Sequence, residues 1–135
     1  MRVGKGRAMG RVCIDGIHQL GVLILILIIS HPTETGMSRL SLSDSDKQAR
    51  DWFAETTKSL GCTVTTDAMG NQFAIRPGLS DGPPTYAGSH LDTQPTGGRY
   101  DGILGVTAGI EMLRTFNDNW VETTFPVGVV NWVRC

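Results

Sequence analysis

This chain of 135 residues has no CxxC pair, no excess of either charge and no apolar run long enough to cross a bilayer. Each absence removes a class of protein. Cys13, Cys62 and Cys135 stand far apart, which argues against a zinc ribbon and against a disulfide framework and fits a reducing compartment. Twelve basic residues face thirteen acidic ones, so no net field is available to hold a nucleic acid or an anionic membrane. A small or neutral ligand is the expectation that remains. Internal repeats and low-complexity tracts are also missing, and the length allows one domain with a modest core.

The first 35 residues read as a divergent segment, separate from an orderly region over 36–135. Arg2, Lys5, Arg7 and Arg11 precede the apolar run GVLILILII at 21–29, an order that resembles a secretory signal. The run is too short to span a membrane, Asp15 and His18 interrupt the approach to it, and SHPTET supplies no small-x-small cleavage site. A cytoplasmic chain is therefore expected, with the run read as a buried strand or helix. His18 and His31 are read as ordinary polar side chains.

From residue 38 the pattern becomes regular. Ser43 and Ser45 stand before Asp46, and Ala49, Trp52, Phe53 and Leu60 recur at helical spacing ahead of Gly61, so a helix over about 46–60 is expected. CTVTT and QFAIR flank the turn DAMGN and predict a hairpin. TYAGS reads as a short strand leading to His90. A second helix is expected from near Asp101 to about Asn117, with Leu104, Ala108, Met112 and Phe116, together with Ile103, Ile110 and Leu113, as its core face. FPVGVVNWV has the continuous apolar character of a strand buried on both faces.

The stretch GSHLDTQPTGGRYDG at 88–102 thus follows a strand and precedes a helix, the position where open α/β sheets place their sites. His90 and Asp92 are two apart, so a tight loop can bring the carboxylate to one ring nitrogen and leave the other as an oriented metal ligand. Asp101, after the TGG turn, can return toward His90, and its two oxygens can each face one cation. Every one of these residues also has a plain structural reading. Asp92 can start an Asx-turn ahead of Pro95, and Asp101 can cap the helix. HxD is by itself a weak motif, and it is the combination that points to a metal.

The segment GSHLDTQPTGGRYDGILGVTAGIEMLRTF, with GMSRLSLSDSDKQARDWFAETTKSLGCTVTTDAMGNQFAIRPG before it and VVNW after it, resembles the N-carbamoyl amino acid amidohydrolases over about residues 36–132. That group contains β-ureidopropionase and N-carbamoyl-L-amino acid hydrolase, within the two-zinc aminoacylase and carboxypeptidase-like enzymes. The resemblance implies the N-terminal part of a zinc-exopeptidase-like α/β/α catalytic domain, truncated. It implies two divalent ions in the full-length family, zinc first with manganese or cobalt as alternatives, and a ureido or acyl amino acid as substrate. His90 becomes a ligand of one metal, Asp101 the carboxylate bridging both, and Asp92 the catalytic partner that orients His90. Gly97, Gly98 and Gly102 let the loop turn back.

Two departures accompany the resemblance. The family's general-base glutamate and a second, metal-binding glutamate would fall at 135 and 136, where this chain has Cys135. The family's smaller domain, which forms a homodimer and helps bind substrate, has no counterpart here. The chain alone is accordingly expected to be inactive. The metal loop is shared by allantoate amidohydrolases, aminoacylases and dipeptidases, so these remain alternatives, as does a non-catalytic fragment. Substrate-binding residues are not identifiable, and Arg99 reads as a solvated loop charge.

Overall fold

The computed structural model describes residues 31–33 and 36–133. The apolar run 21–29 and its signal-like character, together with Cys13, His18 and Cys135, lie outside the described residues. Among those described, no helix is long and apolar enough to cross a membrane.

Strands β1 (His31–Thr33) and β2 (Gly36–Ser38) form a small antiparallel pair. Helix α1 follows over Asp44–Ser59. Ser43 is its N-cap, with the Ser43 hydroxyl accepting the Asp46 N–H at 3.2 Å, while the Asp46 carboxylate reaches back to the Leu42 N–H at 2.9 Å. This satisfies two amide donors at the helix start, the logic of a capping box. The helix begins two residues earlier than its apolar spacing alone suggests, because Asp44 and Ser45 form a first turn with no apolar position to announce it.

The expected hairpin is present. Strands β3 (Thr63–Thr66) and β4 (Gln72–Arg76) pair antiparallel, and the turn between them is organised by Asp67, whose Oδ1 accepts the N–H groups of Met69 and Asn71. Strand β5 (Thr85–His90), helix α2 (Ile103–Asp118) and strand β6 (Val127–Trp132) complete a βαβ unit, with β5 and β6 parallel. The four-stranded sheet runs β3-β4-β6-β5. β6 is central, as its apolar run requires, and its residues 128–131 are buried.

Both helices cover the same face. Ala49 and Phe53 of α1 and Ile103, Val106, Ile110 and Leu113 of α2 share one core with Ala74, Leu91 and Val129; full burial of a side chain such as Phe53 or Leu113 is worth about 1.5–3 kcal/mol. The core stripe of α2 agrees with expectation at Ile103, Ile110 and Leu113 and differs at two positions. Leu104 is 57% exposed and Ala108 is exposed as well, so their row points outward. The inward row contains glycines: a Cβ on Gly102, Gly105 or Gly109 would meet His90, Ser89 or Val129 respectively at under 3 Å. Because these glycines lack side chains, α2 approaches β5 and β6 closely, with Ile103, Val106, Ile110 and Leu113 inward and Leu104 and Ala108 outward.

By strand alternation the other face carries Phe73, Tyr86, Val130 and Trp132. Phe73 meets both Tyr86 and Trp132 edge-on with ring centroids 5.6 Å apart. No described helix covers this row, so the described residues form two layers of an α/β arrangement.

Candidate functional site

His90 is the last residue of β5, and Leu91–Thr93 leave the strand as a buried arc. The ring is held from two sides. Its Nδ1 lies 2.9 Å from the main-chain carbonyl of Asp92 and 3.5 Å from Asp92 Oδ1. A carbonyl only accepts, so in the neutral ring Nδ1 carries the proton and Nε2 carries the lone pair that a metal requires. Asp92 lies beside His90, and its main-chain oxygen makes the short contact. The carboxylate stands slightly further off. Asp92 is only 5% exposed, and its Oδ1 has no hydrogen-bond partner among the described residues.

Gly102 closes the other side. Its backbone is left-handed, at φ 72°, and a Cβ there would sit 2.4–2.5 Å from His90 ring atoms. The chain from Gly98 to Gly102 therefore returns to the imidazole, as the TGG turn suggests. Asp101, the residue before this contact, is exposed at the mouth of α2. The N-cap of α2 is Gly102, one residue beyond Asp101. Gly97 has a different role. It pairs with Met37 through reciprocal backbone hydrogen bonds of 3.0 Å, tying the loop to β2.

Sequence reasoning missed Arg39. Its side chain is fully buried, and its Nη1 donates to the Leu91 carbonyl at 2.9 Å. Burial lowers the guanidinium pKa, and the nearby carboxylates of Asp46 and Asp92 oppose that shift. Asn131 of β6 was missed as well. Its Oδ1 accepts the Leu91 N–H at 2.9 Å and its Nδ2 donates to Gln72 Oε1 at 3.1 Å. A polar residue inside an otherwise apolar central strand was the available signal.

The donor set fits a divalent ion in part. A neutral imidazole whose Nδ1 faces the Asp92 carbonyl, and an exposed aspartate one residue before the Gly102 contact, are two groups that could hold such an ion, with the buried Asp92 carboxylate behind the ring. Among the described residues no group of three or more His, Cys, Asp or Glu side chains is placed to hold a metal ion. Gln94 and Arg99 are exposed on the loop. The separate groove lined by Arg76, Asn117, Trp120, Val121 and Glu122 is structural in character, since Arg76 donates to Asn117 Oδ1 and to the Val121 carbonyl.

No protein-family model matches the chain. It is 45% identical over 100 residues to an N-carbamoyl-L-amino-acid amidohydrolase of Rhizobium meliloti, a match covering 73% of this chain and 24% of that protein. A ureidoglycolate hydrolase of Oryza sativa is 38% identical over 79 residues, covering 58% of this chain and 16% of the relative. Among solved structures, a hydantoinase/carbamoylase family amidase from Burkholderia multivorans superposes with a TM-score of 0.86 at 44% identity, over 90% of this chain and 30% of that one. An aminopeptidase from Bacillus cereus, at 14% identity and TM-score 0.68 over 87% of this chain and 36% of the other, shares the fold alone. The chain spans about a quarter of the length of the amidohydrolase it matches.

Proposed function

Because the chain is a homologue of the N-carbamoyl-L-amino-acid amidohydrolases over about a quarter of their length, we propose that residues 88–102 form one half of a metal-dependent amidohydrolase centre. His90 would hold one ion through Nε2, Asp101 would supply the carboxylate shared with a second, and Asp92 would fix the imidazole. The observation that carries this is the locked ring: Nδ1 bound to the Asp92 carbonyl, with the buried Asp92 Oδ1 close behind.

Bound zinc, manganese or cobalt would polarise the scissile carbonyl and make water a better nucleophile at neutral pH. The chain's own residues set direction and charge. Asp92 holds the Nδ1 proton and so leaves the Nε2 lone pair as the one available to an ion. Gly102 packs against the ring and limits its rotation. The substrate class is an N-carbamoyl amino acid. Water adds to the ureido carbonyl, the C–N bond to the amino acid breaks, and the released nitrogen gains a proton. The carbamate formed then gives carbon dioxide and ammonia. A ureidoglycolate-type substrate is the second reading, favoured by the match to the plant hydrolase; both substrates present the same ureido group.

With two candidate donors and no described third, the chain by itself holds metal weakly and turns over no carbamoyl amino acid at a detectable rate. Calorimetric titration with zinc or manganese tests the assignment. His90→Ala and Asp101→Asn should each weaken binding by about tenfold or more. Binding undiminished in both variants, or carbamoyl-β-alanine hydrolysis by the pure chain, would refute the corresponding part of the reading.

A further inference from the structure

We propose that Arg39 and Asn131 are positioning residues, a clamp on the Leu91 backbone that sets the tautomer and direction of His90. This deepens the assignment of His90 as a ligand, and it rests on that assignment only for its consequence in metal affinity.

Three consecutive peptide groups link His90 to Thr93, and each is planar, so fixing one end of a group fixes the other. The 90–91 peptide is pinned at the Leu91 N–H by Asn131 Oδ1, at 2.9 Å. The 91–92 peptide is pinned at the Leu91 carbonyl by Arg39 Nη1, also at 2.9 Å. The 92–93 peptide is pinned at the Thr93 N–H by the main-chain carbonyl of Arg39, at 2.6 Å. The trans geometry of this last group aims the Asp92 carbonyl the opposite way, toward His90 Nδ1.

The clamp is itself held on both sides. Arg39 N–H donates to Thr93 Oγ1 at 2.7 Å, and Thr93 Oγ1 donates to the Met37 carbonyl at 3.2 Å. Asn131 is fixed through Gln72, whose Nε2 donates to the Arg50 carbonyl of α1 at 3.2 Å. The Leu91 side chain is fully buried in the core. An arginine at this depth is costly to bury, and Asp46 and Asp92 offset its charge. A hydrophobic side chain would fill the same volume without that cost. What it cannot do is donate to Leu91 while placing positive charge beside Asp92.

The test is ¹⁵N NMR of histidine-labelled chain, which reports which ring nitrogen carries the proton without requiring metal or activity. The wild type is expected to show His90 as the Nδ1–H tautomer. Arg39→Met and Asn131→Leu should each convert it to a mixture with the Nε2–H form and weaken zinc binding by about 10–100-fold. Leu113→Ala, a core change remote from the loop, should lower stability and leave the tautomer unmoved. An unchanged tautomer in folded Arg39→Met and Asn131→Leu would overturn the proposal. So would unfolding of both under conditions where Leu113→Ala stays folded, since the two side chains would then be supports of the fold alone. A wild type that binds no zinc yet responds to the clamp variants would sink the metal assignment and leave the clamp standing.

Discussion

The two helices of this chain begin in opposite ways. The start of α1 is fully provided for: Ser43 caps it, Asp46 reaches back to Leu42, and Asp44 and Asp46 lie in its first turn beside the positive end of the helix dipole. At the start of α2 there is a left-handed glycine at the N-cap, no side-chain cap and no acidic residue in the first turn. What it has is contact with His90. One terminus is arranged to stabilise its helix. The other forgoes capping so that its backbone can lie against an imidazole, with Asp101 at the rim.

Substitutions at the two termini sharpen this contrast, and the largest effect is expected at Gly102. Gly102→Ala places a methyl group where His90 already stands and forces a side chain into a left-handed conformation. It should cost at least about 2 kcal/mol of stability by urea unfolding; a loss below 0.5 kcal/mol, taken as roughly the noise of a surface change, would mean the terminus is not tight. Ser43→Ala at the other terminus should cost about 1 kcal/mol, the usual value of a lost N-cap. Equal losses at the two positions would erase the distinction.

A smaller effect separates the charges of α1 from its cap. Burial raises the Asp46 carboxyl above its ordinary range, against the Leu42 amide and the positive charges of Arg50 and Arg39. A carboxyl with a raised folded pKa binds its proton more tightly in the folded state. Its contribution is therefore fully present below the unfolded value of about 3.9 and is lost as pH rises through the higher folded value. Asp46→Asn retains an oxygen for Leu42 and does not titrate. Measured from pH 3.5 upward, the variant should gain on the wild type as pH rises; the reverse trend would show that attraction to the arginines outweighs burial. The smallest effect is expected at the exposed Lys47–Asp51 pair one turn further on. Lys47→Ala should leave the melting temperature unchanged within error.

Much of this was legible in the sequence because local chemistry decides it. The Ser43 cap, the DAMGN turn and the strand-to-loop position of His90 each depend on residues a few positions apart. The core face of α2 was legible only in part. Ile103, Ile110 and Leu113 lie inward as their spacing suggests, whereas Leu104 and Ala108 satisfy helical spacing and still face out, beside the close approach permitted by Gly105 and Gly109. Nor did the spacing of His90 and Asp92 show that a carbonyl would make the shorter contact. Nothing local in the sequence marks Arg39. Its burial depends on partners 52 and 54 positions away, a separation that periodicity does not report. The α/β fold and the amidohydrolase kinship agree with the sequence reading, whereas the roles of His90, Asp92 and Asp101 rest on the proposal above.

The placement of β6 in the middle of the sheet has a consequence for synthesis. It is the last described strand to leave the ribosome, and β5 has no other strand neighbour among the described residues. Forty positions separate Leu91 from Asn131, so at about 5–20 residues per second the nascent chain waits roughly 2–8 seconds between making the histidine loop and making the side chain that fastens it. Through that interval β5 has no strand partner among the described residues.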